Sequence, residues 1–329
     1  MKLTIGIPTY NRNVELINLI RALQLQLNDN IKVIIIDNCS TIPIKQSIED
    51  ADISLTNNFL IIENKVNIGG NANILRCFEY CETEWLWVIG DDDIPSPVAI
   101  EIILEKIEGL NNVAFLNFSD SLHIHKDELI SNNIEEFVSN ISNWGQINFT
   151  SISVFNAFKL KPYLRFGYQY AYSWSPHIAT LLAFLAYNDS KVVFCAEKII
   201  SELCLAEDDN KWAAIGPNLG KMTLLELPFN FKTKKILADR ISKKPTIECS
   251  IYEALNSIHY SNDIKSSYYL FSKMTERLYY FNRNPFFRFK ILIYKLSFLF
   301  PNVSLRVIKS ILKIKGVDVS FILDVNKRL

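Results

Sequence analysis

The 329-residue chain lacks net charge, since Lys+Arg and Asp+Glu each total 35. That balance gives no case for a nucleic-acid partner recognised through overall charge. It also lacks a C-x-x-C pair. Its six cysteines (Cys39, Cys77, Cys81, Cys195, Cys204 and Cys249) are scattered, and a core this large has little need of disulfides, so reduced cytosolic thiols are expected. No run reaches the roughly 18 uncharged apolar residues that a spanning helix requires. The first residues, "MKLTIGIPTYNR", have no apolar signal-peptide region and read as a strand, so the chain is expected on the cytoplasmic side. There is no G-x-x-x-x-G-K-[ST] loop, and "GIPTYNR" stands where a dinucleotide site would need G-x-G-x-x-G. Internal repeats and low-complexity tracts are absent.

What is present is a chain with 49% hydrophobic and 21% charged residues, ample for a globular core. Leu3, Ile5 and Ile7 begin a strand expected to stop at Pro8. Residues 13 to 28 follow helical periodicity through Leu16, Leu19, Ile20, Leu23 and Leu27. "KVIIID" is a continuous apolar run, as in a parallel strand buried on both faces. "NFLIIEN", "WLWVIG" and "VAFLNF" read as further strands, with helices over 70–82 and 98–108 between them. Strands alternating with helices predict an α/β fold with a mostly parallel sheet, Rossmann-like in its layers. In such sheets ligands bind outside the carboxyl ends of the strands.

Three polar segments fall at those ends: Pro8 to Arg12, Asp37 to Ser40, and Asp91, Asp92 and Asp93 in "WLWVIGDDDIP". A strand-to-turn junction accounts for one Asp. Three adjacent carboxylates repel one another unless a cation or donor compensates them. A D-x-D arrangement can hold Mg²⁺ or Mn²⁺ against a diphosphate, since hard oxygen ligands suit both ions. Residues 120 to 175 are less regular and rich in aromatics, which serve as core or as a lining for a sugar or lipid-linked acceptor. Helix "HIATLLAFLAYN" and strand "KVVFC" follow, then the acidic loop "AEDDNKW". His123 and His125 lie in a polar stretch and read as surface residues.

The blocks "IGIPTYNR", "VIIIDNCS" and "NIGGNANILRCFEYCETEWLWVIGDDD", in this order, resemble the nucleotide-sugar-binding half of family 2 glycosyltransferases of GT-A fold. The resemblance covers residues 1 to 120 and continues more loosely to about 215; within the family it is similar to bacterial enzymes that build O-antigen or capsular repeat units. It implies an inverting transferase that uses a nucleotide-sugar donor, Mn²⁺ or Mg²⁺, and a polyprenyl-diphosphate-linked saccharide acceptor. By position, Pro8, Thr9, Tyr10, Asn11 and Arg12 match the loop that cradles the nucleoside. Asp37 matches the acidic residue that reads the base, with Asn38 where a second Asp often stands. Asn67, Gly69 and Asn73 lie in the segment bordering ribose and diphosphate. Asp91 and Asp93 match the metal-binding pair, with Asp91 and Asp92 beside ribose and sugar.

The family's catalytic base precedes a helix and strand, which here puts His177 near the usual Glu-Asp pair. His is a competent general base near neutral pH. Asp208 and Asp209 in "AEDDNKW" are the competing candidates. Two other readings stay open at this point: a sugar-phosphate nucleotidyltransferase, which would carry a Gly-rich basic loop where "PTYNR" stands, and a non-catalytic membrane-docked scaffold of the same origin.

The domain expectation is a GT-A unit over 1–215 (donor half 1–120, acceptor half 121–215) and a helical region over 216–329. From Leu278 to Lys315 there are eight basic residues and no acidic one, so a basic tail joins an acidic body. On a helix after Pro301, Arg306, Lys309 and Lys313 share one side while Leu305, Ile308, Ile311 and Leu312 face away. Residues 286 to 315 as a whole add apolar area from Phe286, Phe287, Phe289, Leu292, Phe298 and Phe300 and suit an anionic membrane surface, so the expectation is a membrane-associating appendage and a peripheral location on the cytoplasmic membrane face. A nucleic-acid role would want a basic groove with stacking aromatics, and is not expected.

Overall fold

The computed structural model describes residues 1–120, 124–142, 144–202, 220–242, 251–252, 254–256, 258, 264–281 and 285–316. The chain divides into two compact units, one of residues 1–171 and 175–205, the other of residues 172–174 and 206–329.

Unit 1 is built on an eight-stranded sheet. Its strands are β1 (Leu3–Thr9), β2 (Ile31–Asp37), β3 (Phe59–Glu63), β4 (Trp85–Val88), β6 (Val113–Ser119), β7 (Leu129–Ser131), β8 (Ser153–Asn156) and β9 (Lys191–Lys198), in the order β3-β2-β1-β4-β8-β6-β9-β7. A separate two-stranded ribbon pairs β5 (Ile94–Pro95) with β10 (Ile200–Glu202). Pairing among β3, β2, β1 and β4 is parallel throughout. β8 is antiparallel to both its neighbours, β4 and β6. β6 pairs parallel with β9, and the edge strand β7 pairs antiparallel with β9. The sheet is therefore mostly parallel, with an antiparallel edge strand and one inserted antiparallel strand that the aromatic-rich stretch conceals in the sequence.

Alternation along β1 sends Leu3, Ile5 and Ile7 into one core with Leu16, Leu19 and Ile20 of the helix Asn13–Gln24 and Ile103 of the helix Ala99–Ile107. Gly6 faces the other layer. A Cβ there would lie 2.7 Å from Cys77 Cβ on the helix Gly70–Tyr80, so the close approach of helix to strand requires glycine. Each large apolar side chain buried in these layers contributes about 1.5–3 kcal/mol.

β1 does not stop at Pro8; it continues to Thr9, in register with Asp37. The proline acts on the other neighbour. The β1–β4 ladder ends with Ile89 N–H donating to Gly6 O at 3.0 Å. In a parallel ladder the returning bond would need the N–H of Pro8, which has none. The chain therefore leaves the sheet at Ile89–Gly90, where the aspartates begin.

Unit 2 is helical in its described parts, with helices Phe231–Ser242, Ile264–Phe281, Pro285–Leu296 and Pro301–Ile314. In the last of these Leu305, Ile308 and Leu312 are buried. These side chains complete a core on the side away from Arg306, Lys309 and Lys313, as the periodicity predicts. Among the described residues no helix is long and apolar enough to cross a membrane.

Candidate active site

The carboxyl ends of β1, β2 and β4 converge, and each contributes one polar segment. After β1, Asn11 takes a left-handed backbone, φ +53°, a conformation Asn tolerates better than most residues. This turns the loop toward β2: Asn11 N–H donates to Ser40 Oγ (2.9 Å), and Thr41 N–H to Asn11 Oδ1 (2.8 Å). Tyr10 is exposed at the loop tip, whereas Thr9 is buried.

At the end of β2, Asp37 is buried, and Ser40 N–H and Oγ–H both donate to its Oδ1, at 3.0 and 2.5 Å. One carboxylate oxygen thus forms the turn. Asn38 points the other way into an amide network. Its Nδ2 donates to Asn67 Oδ1 (2.8 Å), and its Oδ1 accepts from Asn64 Nδ2 (3.1 Å) and Ile68 N–H (2.9 Å). Asn73 donates to Ile36 O and accepts from Asn64. Asn38 and Asn73 are buried, with their amides spent on the protein, so they hold the 64–70 segment rather than face a ligand; Asn67 and Gly69 stay at the surface. Asn64, which joins them, has no motif signal in the sequence.

The aspartate run follows Gly90. Asp91 and Asp93 are buried, while Asp92 is partly open. Arg12 Nη1 reaches Asp91 Oδ1 at 3.3 Å and also pairs with Asp92. Burial pushes the Asp91 carboxyl up to about 6, and Asp92 adds to this, against the pull of Thr9 and Arg12. Asp93 Oδ2 accepts from Ser151 Oγ at 2.5 Å, and the same Ser151 oxygen accepts from Gly90 N–H at 2.8 Å. A Cβ on Gly90 would lie 2.9 Å from Asp93 Oδ2 and 3.1 Å from Asp92 Oδ1. Glycine is what lets the two carboxylates fold back over the strand end. Ser151 comes from a short turn just before β8, 58 residues beyond Asp93, and nothing local in the sequence marks it.

This donor set fits a divalent cation. It offers hard carboxylate oxygens, two of them on buried residues, and because burial raises Asp91 a cation beside it would be favoured by the ionised carboxylate it stabilises. Among the described residues no group of three or more His, Cys, Asp or Glu side chains could hold a metal alone. Ligands from a bound diphosphate would complete the shell.

His177 is enclosed in the core. It sits at the start of the helix Pro176–Tyr187, only 2% exposed. Its Nε2 is 3.1 Å from Asn148 O, its ring meets Phe155 edge-on at 5.9 Å, and its Nδ1 is buried without a hydrogen bond. A ring enclosed this way packs the core and offers no open nitrogen to an acceptor in this conformation. Asp208, Asp209 and His123 lie outside the described residues. His125 is not a free surface residue either; it bonds Gln146 and packs 5.0 Å from Phe194.

Burial holds the His177 imidazole down at about 4, which has a consequence for stability. As pH falls below about 6.5 the unfolded chain binds a proton that the folded chain refuses until about 4, so stability declines over that window. Asp91, raised in the folded state, opposes it over much of the same range. In His177→Gln the Asp91 contribution cancels against wild type, so the variant is expected to lose about 1–3 kcal/mol less between pH 7.5 and 4.5. Urea denaturation at the two pH values measures this; parallel losses would refute the neutral buried imidazole.

Residues 4–163 match the model for glycosyl transferase family 2. The chain carries a family 2 glycosyltransferase domain. Over 108 residues, 31% of the chain, it is 32% identical to the abequosyltransferase RfbV of Salmonella typhimurium. Over 114 residues, 35% of the chain, it is 31% identical to an uncharacterized glycosyltransferase of Haemophilus influenzae. The matches span 32% and 37% of those two proteins. The fold itself extends further. Staphylococcus aureus TarS 1-349 in complex with UDP superimposes with a TM-score of 0.61 at 13% identity, over 96% of this chain and 92% of that one. The mannosyltransferase PcManGT of Pyrobaculum calidifontis, in complex with GDP-Man and Mn²⁺, gives 0.54 at 12% identity, over 92% and 86%. The family 2 domain thus has the expected GT-A architecture, and its aspartate run stands at the end of the strand next to β1.

Proposed function

We propose that the chain transfers one sugar, with inversion, from a UDP-sugar to a saccharide carried on a lipid diphosphate. The observation that carries this reading is the meeting of Asp37, Arg12 and the Asp91–Asp93 run at the carboxyl ends of three adjacent strands. RfbV, an abequosyltransferase, supports a role in O-antigen or capsule assembly, and the UDP complex of TarS supports the uridine donor.

In this reading Asp37 accepts the uracil N3–H, and the Tyr10–Arg12 loop lies along the nucleoside. Asp91 and Asp93 would hold Mn²⁺ or Mg²⁺ beside the diphosphate. When bound, the metal neutralises charge on the departing nucleoside diphosphate. Arg12 keeps Asp91 and Asp92 compensated, and Ser151 orients Asp93. The proton of the acceptor hydroxyl is assigned to the carboxylates of Asp208 or Asp209, whose exchange for Asn should lower turnover without weakening UDP binding.

A panel of nucleotide-sugars, with released nucleoside diphosphate as the readout, tests the proposal. One UDP-sugar should give metal-dependent release, faster with acceptor; release from none of the panel would reject it. Ser151→Ala supplies a separate check. Loss of a ligand-orienting hydrogen bond is expected to weaken Mn²⁺ affinity about 10–100-fold, measured by manganese titration in the presence of UDP. Unchanged affinity would remove Ser151 from the site.

A further inference from the structure

We infer that the helix Pro285–Leu296 and the turn after it form a face that docks on an anionic lipid bilayer, inserting side chains to headgroup depth. This deepens the proposed function by placing the reaction at a membrane surface, but its test reads binding alone.

At about 100° per residue, Phe286, Phe289, Ile293 and Leu296 fall on one stripe of the helix. They are 83%, 64%, 46% and 56% exposed. The stripe continues into the turn, where Leu299 and Phe300 are 68% and 70% exposed. The opposite side of the same helix is already committed to the protein. Ile291 and Tyr294 are buried there, and Phe298 in the turn packs on Tyr268 and Phe271 at 5.4 and 5.7 Å. Unit 2 therefore has its core on one side and a second, exposed apolar surface on the other. A contiguous group of large apolar side chains in water marks an interaction surface.

Charge decides what covers it. Arg288 and Lys290 fall on the two flanks of the stripe, about 80–120° from its centre. The whole segment from Leu278 to Lys315 holds eight cations and no acid. An apolar stripe edged by Lys and Arg matches the boundary between acyl chains and anionic headgroups, with the cations at the phosphates and the aromatics below them. A second copy of the chain meeting this face through a twofold axis would set cations against cations. With no described helix able to span a bilayer, the attachment is peripheral. The inserting face is thus the stripe before Pro301, without Phe298, which packs into the core instead.

Cosedimentation of the full chain with vesicles tests this. Vesicles of phosphatidylcholine with about one third phosphatidylserine should pellet the protein, and pure phosphatidylcholine should pellet much less. Raising salt from about 0.1 M to 1 M should release it, because the Debye length falls from about 10 to 3 Å. Arg288→Glu with Lys290→Glu should lower the partition coefficient at least about tenfold. Phe289→Ser with Phe300→Ser should weaken binding while leaving the far-ultraviolet dichroism and UDP binding unchanged. Because the paired variants could misfold, Phe289→Trp in otherwise native protein gives a second readout: its emission should be quenched by brominated lipids in anionic vesicles. Equal binding to neutral and anionic vesicles, or indifference to salt, would overturn the inference. So would a solution mass that halves in Phe289→Ser with Phe300→Ser while vesicles go unbound, since the face would then belong to a second copy. Failure of the donor screen with vesicle binding intact would reject the proposed reaction and leave the docking face standing.

Discussion

Asp93→Asn is expected to reduce glycosyl transfer by about 10²-fold or more while leaving the fold intact. The change is nearly isosteric, and an amide oxygen can still accept the Ser151 hydroxyl that bonds Asp93 Oδ2 at 2.5 Å. What is lost is one negative charge in a buried group. Asp91 and Asp93 are each 5% exposed, and carboxylates held this close in a run repel one another. Removing one should therefore leave thermal stability without metal unchanged or slightly higher. The stabilisation that Mn²⁺ gives wild type in the presence of UDP should disappear, which a thermal shift measures independently of turnover. EDTA should abolish wild-type activity, and added Mn²⁺ should restore it. Full activity in chelator would sink the metal role of the aspartate run.

Substitution at Asp37 is expected to change which base is read. Ser40 uses only Oδ1 of this carboxylate, so the other oxygen can accept the N3–H of uracil. A hydrogen bond to a charged group contributes about 1.5–3 kcal/mol, so Asp37→Ala should weaken UDP binding by about 10–100-fold. That variant also removes the turn made with Ser40, which makes Asp37→Asn the sharper experiment. Asn keeps an oxygen for the turn but offers an amide donor to the base. Cytosine presents an acceptor at N3 where uracil presents a donor, so Asp37→Asn should move the preference from UDP toward CDP. Calorimetry with UDP, CDP and GDP on both proteins provides the comparison. Equal affinity of wild type for the three nucleotides would remove base reading from Asp37.

The parallel half of the fold was legible because its signals are local. Apolar runs such as "KVIIID" and the periodic helices between them depend on neighbours in sequence, and the aspartates announce themselves by their own repulsion. The parts that were not legible depend on distant contacts. Ser151 reaches Asp93 and Gly90 only because β8 inserts between β4 and β6, and a four-residue strand leaves no periodicity to find. Asn38 and Asn73 carry the right residue types for a ligand, yet Asn64 recruits both into a network that fixes a loop. His177 matches a position, but position does not reveal that Asn148 and Phe155 enclose the ring. For the basic tail, helical periodicity correctly separated the cations from Leu305, Ile308 and Leu312. It could not say that Phe298, unlike Phe286, Phe289 and Phe300, would pack into a core.

The most direct test of the central claim is a crystal structure of the chain with UDP and Mn²⁺, collected at the manganese absorption edge. The account predicts an anomalous peak within about 2.1–2.3 Å of carboxylate oxygens of the Asp91–Asp93 run, shared with the diphosphate, and uracil N3 within hydrogen-bonding distance of Asp37. A nucleotide bound away from the carboxyl ends of β1, β2 and β4, or manganese bound without Asp91 or Asp93, would contradict it.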